Sequence, residues 1–458
     1  MRENAWKKYN EETIKDVFSF CEDYKDFISK CKTERECVNE TIEMVKHQGY
    51  RDLNDYITSQ TPLKPGDKVY ANNYGKTIAL FVIGKEPIEA GLKILGAHID
   101  SPRIDLKQNP VYEDSDIALL DTHYYGGIKK YHWVATPLAM HGVVCKKDGS
   151  VINVNIGEDD NDPVFCISDL LIHLSRELMT KPAAKVVEGE ALNVLCGSIP
   201  LENEEKEAVK ANVLKILKEK YDFEEEDFLS AEIEIVPAGK ARDAGFDRSM
   251  ILGYGHDDRI CAYTSLRAIL DMDIVDRTAC CLLVDKEEVG SNGASGMHSK
   301  FFENTVAEII NLTTVYSDLK LRRALANSVM LSSDVSAAFD PNYPSVFEKK
   351  NAAFFARGIV FNKYTGAGGK SGCNDANPEY IAKLRAIMEK HHVSFQTAEL
   401  GAVDAGGGGT IAYILANLNM QVIDCGVPVL NMHAPYELAS KVDIYETVNG
   451  YKAFLIEA

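Results

Sequence analysis

Ala279-Cys-Cys-Leu-Leu-Val284 runs straight into Asp285-Lys-Glu-Glu-Val-Gly290, and its first half decides the fold. Six unbroken apolar residues suit a strand and are too few for an ordinary helix. A strand with no polar position has both faces covered, the condition of a sheet sandwiched by helices. Cys280 and Cys281 then read as small core fillers. Outward from this run, helix and apolar strand alternate from about residue 250 to the end. A helix follows Asp258, others fall near 300–311 and 376–391, and NSVMLSSD and VPVLNMH are further strands. The strand in LKILGAHID, at 93–98, joins the same sheet. The expectation is an α/β fold, a mixed and mostly parallel sheet flanked by helices.

Upstream, residues 1–50 read as two helices. Trp6, Ile14, Val17, Phe18 and Cys21 fall at helical spacing, and Thr33-Glu-Arg-Glu36 is a capping box opening the second. The turn Asn72-Asn-Tyr-Gly75 between apolar runs signals a hairpin. Residues 107–245 have a different texture: a Gly126-Gly127 turn, a strand-like LAMHGVVC, a hairpin signal at Lys147-Asp148-Gly149, a helix around Ser168–Met179 and an acidic, Lys-rich helix near 203–220. This block reads as a β-rich insertion between segments 1–106 and 246–458.

The chain has 458 residues, 45% of them hydrophobic, enough for a substantial core. A net charge of -19 repels nucleic-acid backbones and anionic membranes, so neither is expected as a partner. No stretch approaches the ~18 unbroken apolar residues of a membrane span, and the N-terminus lacks a secretory apolar core. Eleven cysteines without a CxxC pair fit reduced thiols, and a cytoplasmic location is expected.

Metal-type ligands close several of these elements. His98-Ile-Asp100 ends one strand, Asp257-Asp258 opens a helix, Glu287-Glu288 follows Ala279–Val284, and Asp334 and His433 follow two further strands. In open α/β sheets ligands gather beyond the carboxyl ends of the strands, so residues distant in sequence can converge there. Two imidazoles with several carboxylates suit zinc, manganese or cobalt. Each piece has an ordinary alternative. Asp257-Asp258 could cap a helix, and Glu287-Glu288 could be surface charge. Asp100, two residues past His98, could accept the second imidazole N–H and fix its tautomer. His256 reads as helix-start structure. Asp404-Ala-Gly-Gly-Gly-Gly-Thr410 lacks the lysine and spacing of a phosphate loop and reads as a place where substrate backbone can approach closely.

GAHIDSPR, GHDDR, DKEEVGS, SSDVSAAFDPNYP and VPVLNMHA occur in that order. Together they resemble the aspartyl aminopeptidase family of co-catalytic dizinc metallopeptidases, over about residue 65 to the C-terminus. The resemblance implies a zinc-exopeptidase-like fold with an inserted oligomerisation domain, and release of N-terminal residues from peptides. It implies two Zn2+ per subunit, with Co2+ or Mn2+ as substitutes. His98 and Asp334 would hold one ion, Glu288 and His433 the other, and Asp257 would bridge them, with a cis peptide to Asp258 as in related enzymes. Asp100 would orient His98, and Glu287 would be the general base. His173, in ISDLLIHLSR, would enter a neighbouring subunit's active site within a homo-oligomer, commonly a dodecamer.

The family's acidic preference calls for a cation near Asn362. Here the basic residue is displaced by one position, to Lys363, which reverses its face on a strand; Lys370 is the other possible cation. Two further readings stand beside this one: a two-metal deacylase or exopeptidase of the wider clan, and a non-catalytic assembly protein stabilised by metal. An acid left free to act as a base disfavours the last.

Overall fold

The structure, a computed structural model, describes residues 3–458. These separate into two compact units, one formed by residues up to Asp100, Ala241–Met432 and Glu437–Ala458, the other by Ser101–Lys240 and His433–Tyr436.

The first unit is built on nine strands: β1 (Arg51–Asp52), β2 (Lys68–Asn73), β3 (Thr77–Val82), β4 (Lys93–His98), β5 (Ala279–Val284), β6 (Val329–Ser332), β7 (Ile359–Asn362), β8 (Phe395–Thr397) and β9 (Gln421–Gly426). Their spatial order is β1-β2-β3-β5-β4-β6-β9-β7-β8. Five neighbouring pairs are parallel and three antiparallel. The core follows from two-residue alternation. Ile78, Leu80, Val82, Cys281 and Leu283 pack into one apolar layer, Ala79, Phe81, Cys280 and Leu282 into the other. The two adjacent cysteines thus fill opposite faces of one strand.

Helices cover both layers. Glu11–Lys30 and Glu34–His47 form as expected, and the Thr33–Glu36 capping box is present. Helices His256–Leu270, Phe301–Thr313 and Pro378–Lys390 supply the rest of the expected alternation, and Lys441–Glu457 adds a helix that the sequence reading did not name. One strand departs from the sequence reading. Pro428–Leu430 lies in a separate five-stranded sheet with Arg242–Ala244, Met250–Gly253, Glu437–Ser440 and Ser336–Ala337. Its place in the main sheet is taken by β9, whose Gln421 and Asp424 disguise it as a loop.

The second unit is a six-stranded antiparallel sheet in the order Val151–Ile156, Leu138–Cys145, Ala231–Pro237, Arg103–Asp114, Ile117–Tyr125 and Val194–Gly197. Helix Ala208–Tyr221 packs Val209 and Val213 against Ala118 of that sheet. The helix expected around Ser168–Met179 is not formed. The segment is a series of turns ending in a 3-10 turn at Leu178–Thr180. Helices are held mainly by burying an apolar face, and here Leu170, Leu171, Ile172 and Leu174 are all exposed.

Candidate metal centre

Sheet register brings the acids together. In parallel pairing Val284 lies opposite His98, and Ser332 opposite Gly96. Residues a few positions past β5 and β6 therefore emerge beside the end of β4. After β5, Lys286 at φ 71° and Gly290 at φ 94° bracket the 3-10 turn Glu287–Val289. After β6 the chain reaches Asp334. Helix His256–Leu270 contributes Asp257 and Asp258 from its first turn, where neither is helical and the peptide joining them is cis.

His98 Nε2 lies 3.1 Å from Asp257 Oδ1, 3.9 Å from Glu287 Oε2 and 4.0 Å from Asp334 Oδ1. One donor atom each from His98, Asp257 and Asp334 falls within 4.8 Å of the others, as does one each from His98, Glu287 and Glu288. Burial alone would lower the His98 imidazole, but Asp100, Asp257 and the carboxylates behind them carry it well above its ordinary value. Burial raises the Asp334 carboxyl strongly, and Asp258 and Asp257 add to that. A buried ring of acids about one imidazole is costly without a cation. The donor set, one nitrogen and several hard oxygens, fits a divalent ion of the zinc type.

Asp100 meets the His98 ring with two of its atoms. The strand ends at His98, and it is the Asp100 backbone carbonyl that lies 3.0 Å from His98 Nδ1, with a carboxylate oxygen at 3.4 Å. The carboxylate accepts the backbone N–H groups of Glu287 at 3.1 Å and Glu288 at 3.2 Å. It fixes the turn that carries both glutamates as well as the ring.

Two residues without an assigned role also shape the site. Glu437 accepts the backbone N–H of Asp257 at 3.0 Å. Arg259, wholly buried, donates to the carbonyls of Ile99 at 3.1 Å and Lys32 at 2.7 Å, tying down the chain between His98 and Asp100. Arg259 sits in GHDDR, where a buried guanidinium could have been suspected; nothing in the sequence marks Glu437. His256 is structural as expected: its Nδ1 lies 2.7 Å from Tyr24 Oη and its Nε2 3.1 Å from the Ile251 carbonyl.

His433 lies in the segment grouped with the second unit, with Nδ1 2.9 Å from the Gly127 carbonyl. His173 lies exposed in a turn of that unit. Lys363 and Lys370 both pair with Asp375, the latter at 3.3 Å, and Lys370 also lies 3.9 Å from the centre of the Tyr364 ring. In the glycine-rich loop, a Cβ at Gly406 would meet the Leu400 carbonyl at 2.0 Å, and one at Gly407 would meet Ala367 Cα at 2.5 Å. These two glycines admit the chain's own backbone.

Comparison with known proteins gives one answer. The model of the family described as aminopeptidase I zinc metalloprotease (M18) matches residues 27–455. A probable M18 family aminopeptidase 1 from Clostridium acetobutylicum is 67% identical over 453 residues, 99% of this chain and 97% of that one. The crystal structure of aminopeptidase I from the same organism superposes with a TM-score of 0.93 at 64% identity, covering 99% of each chain. An M18 aminopeptidase from Thermotoga maritima does so at 0.95 and 44%, covering both chains fully. Among the described residues no helix is long and apolar enough to cross a membrane. The chain is thus a hydrolase and belongs to the M18 family of zinc metallo-aminopeptidases.

Proposed function

We propose that the chain releases single N-terminal residues from peptides with two zinc ions per subunit: His98 and Asp334 would hold one, Glu288 and His433 the other, and Asp257 would serve both. The observation that carries this reading is the convergence of Asp257, Asp334, Glu287 and Glu288 on His98. When bound, the ions supply Lewis-acid polarisation of the scissile carbonyl and acidify a water at neutral pH. Glu287 takes the proton at its carboxylate and delivers it to the leaving amine. Its Oε2 lies 3.9 Å from His98 Nε2, within reach of the same centre. Asp100 holds the Glu287 and Glu288 backbones in register for the two jobs.

The active form is a homo-oligomer in which His173 reaches a neighbouring subunit's centre and donates to the oxyanion. Exposed Leu170, Leu171, Ile172 and Leu174 beside it support a contact with a second copy. A yeast protein of this fold, mApe1, is described as a dodecamer, and the same assembly is the one we propose. N-terminal preference is broad: Lys363 and Lys370 already share Asp375 as counter-ion, which leaves neither as a dedicated partner for an acidic side chain.

The test is a metal titration of chelated protein, with activity and bound zinc read together. Two equivalents per chain should restore peptide hydrolysis. Full activity after exhaustive chelation would end the proposal.

A further inference from the structure

The Gly126-Gly127 turn is conspicuous in the sequence and has no part in the scheme above. Gly126 takes φ 74°, a backbone state that favours glycine. The turn brings the Gly127 carbonyl oxygen to 2.9 Å from His433 Nδ1. A carbonyl only accepts, so this contact is a hydrogen bond only when Nδ1 carries the proton. The neutral ring then presents its Nε2 lone pair, the form in which imidazole binds a metal. Space is equally tight: a Cβ at Gly127 would lie 3.3 Å from His433 Nδ1 and 3.7 Å from Cε1. The segment is further held where the Tyr436 hydroxyl donates to the Ala238 carbonyl at 3.3 Å. Gly127, Ala238, His433 and Tyr436 all belong to the second unit.

We propose that Gly127 is a positioning residue for metal binding: its carbonyl sets the tautomer and aim of His433, and its missing side chain gives the ring room. The inference rests on the reading of His433 as a ligand. It makes the affinity of one zinc, and not the other, depend on a turn in the inserted unit. Gly127→Ala suits a test because φ at this position lies outside the left-handed region, so alanine is conformationally allowed.

Zinc affinity is measured on the full chain by competition with a chelating indicator, for wild type, Gly127→Ala, His433→Ala and the double variant. The new Cβ of Gly127→Ala, 3.3 Å from His433 Nδ1, should push the ring off the carbonyl that alanine still carries and weaken one of two zincs on the order of tenfold or more, the scale of a lost partner to a ligating histidine. Added to His433→Ala, it should weaken nothing further, because the effect passes through that ring. Wild-type affinities in Gly127→Ala, or an equal loss in both backgrounds from general damage, would overturn the inference. If His433→Ala itself keeps both zincs at wild-type affinity, the ligand assignment fails first, and that outcome is separable from the other two.

Discussion

The carboxylate of Asp100 reaches past the histidine it follows and grips the backbone N–H of Glu287, and the next N–H with its other oxygen. One buried side chain thereby couples the end of β4 to the turn after β5. Hydrogen bonds to a charged acceptor contribute about 1.5–3 kcal/mol each. Asp100→Ala should lower kcat/KM by about a hundredfold or more, because the turn loses its anchor and His98 a neighbour. Asp100→Asn, which keeps one accepting oxygen, should fall between. Parallel kinetics of the two variants check this, and equal, near-normal values would show that the turn holds itself.

Glu287→Gln separates binding from chemistry. The amide keeps the shape of the side chain and cannot take a proton from water. Turnover should drop by about 10²–10⁴ while zinc content stays at the wild-type value. Elemental analysis beside the rate assay reads both. A variant that loses zinc in step with activity would make Glu287 a ligand and not a base.

Much of this site is legible in the sequence because buried parallel strands are unbroken apolar runs and the converging acids follow their ends. Ala279–Val284 and its trailing Glu287-Glu288 show both features at once. Legibility fails where a buried strand carries polar residues. Asp424 sits in the middle of β9, wholly buried, its carboxyl pushed up to about 6 by burial, and Gln421-Val-Ile-Asp-Cys-Gly426 does not read as core. It fails again at 168–179, where helical spacing of Leu171, Leu174 and Leu178 accompanies turns. The grip of Asp100 on two amides is set by turn geometry, which no residue pattern announces.

Asp243 provides a pH test at a group that takes no part in the metal centre. It pairs with Lys25 at 2.8 Å, Lys441 at 2.8 Å and Arg248 at 2.7 Å, and the Lys441 side chain is fully buried. Burial alone would raise this carboxyl, but the three cations hold it well below its usual range. A folded-state value below the unfolded one, near 3.9, stabilises the fold above that pH. The contribution shrinks as pH falls below it towards the folded value. Asp243→Asn leaves the buried Lys441 ammonium with only Glu22, at 3.8 Å, as counter-charge and should cost about 3–5 kcal/mol at neutral pH. Urea midpoints of wild type and variant should converge on acidification from pH 6 to 3; a gap independent of pH would assign the loss to packing.

Substrate preference follows from the Lys363–Asp375–Lys370 cluster. All three side chains are more than 40% exposed, so their pairing is weak energetically and solvent screens the positive charge that Asp375 leaves unpaired. Asp- and Glu-chromogenic substrates should not exceed Leu or Lys ones by about tenfold in kcat/KM, a difference worth about 1.4 kcal/mol. A larger acidic advantage would place an uncompensated cation in the specificity pocket, and Asp375→Asn would then show whether either lysine supplies it.

The exchange of His173 between subunits has a sharper test than a single variant. His173→Ala and Glu287→Gln should each abolish most activity, one by removing the donated imidazole and the other by removing the base. When the two proteins are dissociated, mixed in equal amounts and reassembled, a centre works only if its own chain keeps Glu287 and its neighbour keeps His173. Random assembly of a closed, symmetric oligomer satisfies both conditions at about a quarter of the centres. Recovery to about that fraction of wild-type activity requires a residue supplied from the other subunit, because no chain in the mixture carries both. Two inactive proteins that stay inactive after verified subunit exchange would place His173 at the site of its own chain. The exposed Leu170–Leu174 segment would then need a different partner.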